Sequence, residues 1–152
     1  MPQASNNQMA VLLSYGIELP KPQTQRGVTW VPKRKWSLQA VEAIIAYVQE
    51  GNGAGEETTS EERLALYLNA RQEYEGRFVV ETSGKDRAHY LVLCVVPETR
   101  RRAGWVAQHK GVKPSEVNPF TFEMVAEDEP PDYNGHILGA ANLGDYRLAD
   151  KE

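Results

Sequence analysis

The chain has 152 residues, a formal net charge of -4 at pH 7, 41% hydrophobic residues and 25% charged residues. This length fits a single domain, residues 1–152, which can bury roughly 70% of its unfolded surface. No stretch approaches the roughly 20 apolar residues of a membrane span, and one cysteine cannot form an internal disulfide. The apolar run near the N-terminus is too short for a signal peptide. The composition therefore favours a cytoplasmic protein that does not engage a membrane.

The sequence of the N-terminal part predicts an irregular N-terminal arm. Residues 1–10 are expected to be frayed, and residues 11–19 are compatible with one short strand. The prolines between positions 20 and 32 exclude a helix and a central strand there. Residues 27–31 are rich in β-formers and indicate a second short strand.

A helix is predicted directly after this arm. Ser37 is a good N-cap and Gly51 a natural stop, with an apolar stripe at three- and four-residue spacing between them. The stripe consists of Leu38, Val41, Ile44, Ile45 and Val48. A glycine-rich linker follows, and we expect it to be flexible and exposed. Thr59 and Glu62 then have the spacing of a capping box, which predicts a second helix ending near Gly76.

The remaining elements read as a sheet. Residues 77–81 and 87–96 are rich in β-branched and aromatic residues around a turn cluster, which predicts a β-hairpin. Residues 119–125 alternate between apolar and polar, as an additional strand does. The acidic, Gly- and Pro-rich tail region, residues 127–152, has room for one more short strand at 136–138. The predicted fold is α+β, with two helices packed on an antiparallel sheet of three to five strands.

The segment from Thr99 to Lys113 is the main functional signal. It holds five cations, a tryptophan and a histidine, and no acid, although the chain as a whole is acidic. A local basic patch beside an aromatic ring is typical of a contact surface for phosphate, base or carboxylate. We favour a strand here over a helix, because Gly104 weakens a helix, and in both cases Arg101 and Trp105 share a side. The alternative is that Trp105 belongs to the core within a solvated basic rim.

A second basic cluster precedes the first helix. Lys33, Arg34 and Lys35 lead directly into Trp36, at a helix end where the dipole disfavours cations. This mismatch indicates an external anion. The alternative is that Trp36 packs as a hydrophobic staple and the three cations are solvated.

One pattern suggests nucleic-acid binding. Ala107, Gly111, Val112 and Val117 match the skeleton of a helix-turn-helix. Pro119 argues against it, because it would break the second helix of the motif.

Catalytic signals are sparse. The sequence has no phosphate-binding loop and no zinc-ligand spacing, and Cys94 lies in an apolar run typical of a core strand. A metal-dependent nuclease is the enzymatic alternative, with Glu62, Glu81 and Asp86 as carboxylates on a helix–strand scaffold.

The sequence therefore predicts a non-catalytic docking or inhibitory subunit without a cofactor. It would engage a larger protein or a nucleoprotein assembly, with possible nucleic-acid contact, through a basic and aromatic surface; the alternatives are a nucleic-acid-binding module and a nuclease. The candidate partner-binding residues are Arg100, Arg101, Arg102, Trp105, His109, Lys110, Lys33, Arg34, Lys35 and Trp36.

Overall fold

A computed structural model describes residues 4–21, 23–25, 28–30, 36–55, 57–85, 87–126 and 141–149. Within these ranges the fold is α+β, with four α-helices, a five-stranded antiparallel sheet and a two-stranded ribbon. The helices are α1 (Asn6–Ser14), α2 (Leu38–Glu50), α3 (Ser60–Tyr74) and α4 (Arg100–Lys110). The strands are β1 (Gln23–Gln25), β2 (Val28–Trp30), β3 (Phe78–Glu81), β4 (Tyr90–Pro97), β5 (Phe120–Ala126), β6 (Ala141–Asn142) and β7 (Tyr146–Leu148). No helix in the described ranges is both long and apolar enough to cross a bilayer.

The predicted α+β class and antiparallel sheet are confirmed, but the number of helices is not. Helix α4 lies where the sequence favoured a strand, and α1 lies where it predicted a frayed terminus followed by a possible short strand. The two predicted helices, α2 and α3, both pack against β4, as expected for helices on a sheet.

The N-terminal arm contains the first correction, because α1 replaces the strand predicted at residues 11–19. Ser5 begins the helix with a capping box: its Oγ accepts a hydrogen bond from the Gln8 backbone at 3.2 Å. The Gln8 side chain in turn accepts from the Ser5 backbone at 2.8 Å. Two otherwise unsatisfied amides are thereby paired, so the helix already begins within the segment predicted to be frayed. The strand predicted at 27–31 is confirmed as β2, which pairs with β1.

Helix α2 has the predicted boundaries and most of the predicted core face. Ser37 caps it, with its Oγ accepting from the Ala40 backbone at 3.2 Å, and Gly51 ends it. Of the apolar stripe, Val41, Ile44 and Val48 are buried, whereas the two remaining members are only half-buried. Helix α3 begins with the predicted capping box.

The loop after α2 is the second correction, since its first half is neither exposed nor loosely held. The Asn52 side chain is buried, and its Nδ2 donates to the carbonyls of Glu98 and Pro119 at 2.8 and 2.9 Å. Its Oδ1 accepts from the Ala54 backbone at 3.1 Å. Gly53, at φ 81°, lets the chain turn around this side chain. One amide therefore ties the end of α2 to both ends of the segment that carries α4.

The sheet has the strand order β6-β5-β4-β3-β7. The predicted hairpin is confirmed as β3 and β4, and the predicted strand at 119–125 is confirmed as β5. The predicted strand at 136–138 lies outside the described residues. Cys94 is buried in β4, as predicted.

The short connection between β6 and β7 requires the sheet to coil strongly. These strands form opposite edges, and four strand spacings cover about 19 Å. The four Cα–Cα steps from Asn142 to Tyr146 span at most about 14 Å. Consistent with such coiling, the Tyr146 ring of β7 lies 5.1 Å from the Phe122 ring of β5. The edge connection therefore crosses the end of the sheet and comes to lie beside α4.

Candidate functional site

The basic segment forms helix α4, so the favoured strand prediction for this segment is wrong. The Thr99 Oγ1 accepts from the Arg102 backbone at 3.1 Å, and Gly111 ends the helix in the left-handed region at φ 67°. These two caps offset the cost of Gly104, which is about 1 kcal/mol relative to alanine. The edge of β4 that a basic strand would occupy is paired with β5 instead.

Helix α4 is attached to the domain by small apolar residues. Ala103, Val106 and Ala107 are buried together with Ala54 and Val117, in a cluster separate from the main core. The buried face of α4 uses only alanine and valine, and the largest side chain of the helix, Trp105, is exposed. The surface of α4 therefore combines an exposed indole with cations.

Trp105 is held between two neighbours on its own helix. The guanidinium carbon of Arg102 lies 4.0 Å from the indole centroid, and the His109 ring centroid lies 3.6 Å from it. Arg102 is one turn before Trp105 and His109 one turn after it, so the two groups lie on either side of the indole along the helix axis. Trp105 nevertheless remains 44% exposed. The predicted partner of the indole was Arg101, whereas the structure stacks Arg102 on it.

The other cations of α4 have different surroundings. Arg100 donates to the Gly51 carbonyl at 3.2 Å, and so helps to cap the end of α2. Arg101 is exposed on the outer side of the helix. Lys110 forms an ion pair with Asp145, which lies in the connection between β6 and β7.

The second predicted cluster does not join this surface. Lys33, Arg34 and Lys35 lie outside the described residues. Trp36 is 1% exposed and belongs to the main core, with the Arg71 guanidinium 5.5 Å from its ring centroid. The side chain of Trp36 is therefore buried in the main core and does not contribute to the exposed surface of α4.

A groove of about 660 Å³ runs between α4 and the end of the sheet. This volume is within the usual range for ligand pockets, about 300–1,000 Å³. From α4 its lining residues are Arg102, Trp105, Val106, His109 and Lys110. The opposite wall is formed by the turn after β3 and by the β6–β7 connection, including Glu81, Thr82, Ser83, Asn142, Asp145 and Tyr146. One wall is thus cationic and aromatic, and the other carries hydroxyls and carboxylates.

A buried carboxylate lies beside the start of α4. Glu98 is 2% exposed, and its Oε2 accepts from the Asn142 Nδ2 at 3.2 Å. Burial raises the pKa of Glu98, and the Asn142 hydrogen bond and the charge of Arg102 offset this only in part. The first turn of α4 has three arginines and no acid, and Glu98 precedes the Thr99 cap directly, so its carboxyl group lies next to that turn.

Sequence reasoning missed the wall opposite α4. Asn142, Asp145 and Tyr146 lie in a glycine-spaced stretch without periodicity, and Thr82 and Ser83 follow β3 in a turn. Only the coiling of the sheet brings these segments to α4. The tendency of Asn and Asp to form local turns was the single available signal.

The nuclease alternative gains no geometric support from the described residues. There, no three His, Cys, Asp or Glu side chains lie together as a metal would require. Glu62 caps α3, Glu81 accepts a hydrogen bond from the Ser83 hydroxyl, and Asp86 lies outside the described ranges. The helix-turn-helix skeleton, against which Pro119 argued, is not formed, because a 3₁₀ turn (Pro114–Glu116) and β5 follow α4 instead of a second helix.

No family model, no curated protein and no solved structure matches this chain.

Proposed function

We propose that this protein is a non-catalytic docking or inhibitory subunit that engages a larger protein or a nucleoprotein assembly through α4. The contact region, here called the basic–aromatic surface, comprises Arg101, Arg102, Trp105, His109 and Lys110. The observation that carries the proposal is the exposed indole of Trp105 held between Arg102 and His109. Tryptophan and arginine are the residues most enriched among the hot spots of protein interfaces.

The stack also reduces the side-chain entropy that is lost when a partner binds to Trp105. Fixing a flexible side chain on binding costs about 0.5–1.5 kcal/mol, and the stacked neighbours already restrict Trp105. The His109 Nδ1, in the tautomer that carries a proton there, donates to the Trp105 carbonyl at 3.0 Å. The anchor is therefore positioned before a partner arrives, and the adjoining groove offers room for a side chain of that partner.

Capture from cells that make the protein tests the proposal. Immobilised wild-type protein is compared with Trp105→Ala and with Leu66→Ala. Leu66 lies on α3 and is 45% exposed, so it is matched to Trp105 at 44%. We expect partners that wild type and Leu66→Ala retain and that Trp105→Ala loses. Equal capture by all three proteins, or no specific capture, contradicts the proposal.

Charge reversal at the outer cation gives a quantitative second test. Arg101→Glu is expected to weaken binding of the captured partner about tenfold or more at roughly 150 mM salt, where the Debye length is about 8 Å. The melting temperature is expected to stay unchanged, because Arg101 is exposed. An unchanged affinity identifies this cation as a solvated surface charge.

A further inference from the structure

Gly104 is not explained by the fold. It lies in the middle of α4, is exposed, and a Cβ built on it meets no atom within 4 Å. Glycine inside a helix costs about 1 kcal/mol relative to alanine, and none of the described residues requires its small size here. A glycine on a helix surface allows another chain to approach the backbone closely, and no described segment of this protein does so at Gly104.

The outward strip of α4 around Gly104 has the shape of a docking surface. Arg101, Gly104, Trp105 and Gln108 follow one another at three- and four-residue steps, so they line one side of the helix. All four are exposed. The glycine leaves a gap directly beside the large indole. The side chains of a segment that packs on a helix fit into gaps of this kind.

Charge complementarity identifies the chemistry of the occupant. Helix α4 carries four cations and no acid within 11 residues, and one of these cations, Arg101, lies in the outward strip, whereas the whole chain has a net charge of -4. An acidic segment is attracted to this helix and repelled by the remainder of the protein, which favours one binding position.

The same geometry favours a protein segment over a nucleic acid. Bases bind single-strand modules by stacking on free aromatic faces, and both sides of the Trp105 indole are already occupied. The net negative charge also opposes a long polyphosphate.

We infer that the outward strip of α4 docks an acidic segment of a protein partner, whose backbone packs over Gly104 beside Trp105. This inference rests on the proposed function and specifies the partner's chemistry.

A displayed library of random peptides is the probe that tests it. Selection on wild type is expected to enrich peptides rich in Asp and Glu. The affinity of the tightest peptide is then measured for Gly104→Ala and Gly104→Leu. The control is Ala65→Leu, which adds a similar bulk at an exposed position of α3. Gly104→Ala should raise the melting temperature by roughly 2–4 °C and still weaken binding. Gly104→Leu should weaken binding about tenfold or more, and Ala65→Leu should not.

Several outcomes overturn the inference. They are the absence of selected peptides, peptides without acidic enrichment, and peptides that bind Gly104→Leu as tightly as wild type. Salt-dependent binding of a labelled oligothymidylate, weakened by Gly104→Leu, assigns the strip to nucleic acid instead. A captured partner that is lost with Trp105→Ala but retained by Gly104→Leu leaves the proposed function standing and removes only this inference.

Discussion

Helices α2 and α4 begin and end by the same local rules but present opposite surfaces. Each has a hydroxyl cap, Ser37 or Thr99, and each ends at a glycine with positive φ, Gly51 or Gly111. Helix α2 buries isoleucine, tyrosine and valine in the main core, whereas α4 buries only alanine and valine in a separate cluster. Caps therefore determine where a helix lies, and the size of its buried residues determines whether it supports the core or carries an exposed surface.

The two helices should also differ in how strongly they are held. Burial of apolar surface stabilises the folded state by roughly 25 cal/mol per Å². The small buried residues of α4 therefore contribute less to the stability of the fold than the large ones of α2. Local opening of α4 without global unfolding is then the expected behaviour.

The largest predicted effect lies in α2. Ile44→Ala should lower the free energy of unfolding by about 2–5 kcal/mol, because Ile44 is fully buried in the main core. Ile45→Ala should cost clearly less, since Ile45 is only half-buried. Urea unfolding of both variants measures the difference. If Ile44→Ala unfolds at the same urea concentration as wild type, α2 is not packed as described.

A smaller effect is expected in α4. Val106→Ala removes two buried carbon groups and should cost about 1.5 kcal/mol, at roughly 0.8 kcal/mol each. Val112→Ala, at a more exposed position just after the helix, serves as the control and should change stability by less than about 0.5 kcal/mol. Amide exchange should accelerate in α4 but not in α2. Equal acceleration in both helices would show that the two regions unfold as one unit.

The smallest predicted effect is a pH dependence at the junction of the two regions. Burial raises the pKa of Glu98 in the folded state. The folded state therefore favours the protonated carboxyl group of Glu98. The contribution of this group to the free energy of unfolding is complete below its ordinary pKa of 4.5 and is lost as pH rises through the folded-state pKa. Relative to Glu98→Gln, wild type should lose stability as the pH increases from about 4 to about 8.

Urea unfolding across this range measures that difference. Glu42→Gln, at an exposed position of α2, controls for the removal of one negative charge. A difference between wild type and Glu98→Gln that stays constant with pH contradicts the assignment.

The sequence by itself determined α2, α3 and strands β2 to β5. Their signals are local: Ser37 and Gly51 bound α2, Thr59 and Glu62 form a capping box, and alternation marks β5. Such signals act within a few residues and do not depend on what the segment packs against. Helix α1 had a comparable signal, the Ser5 capping box, which the apolar residues after it obscured.

Only the tertiary structure decided the candidate site. Trp36 and Trp105 both follow clusters of cations, yet one is 1% exposed and the other 44%. The difference arises because Trp36 lies in the main core, whereas α4 turns Ala103 and Ala107 inward and Trp105 outward. The wall opposite Trp105 comes from two segments, the turn after β3 and the β6–β7 connection, which the coiling of the sheet brings together. Burial depends on which distant segments meet, and no local pattern of residues contains that information.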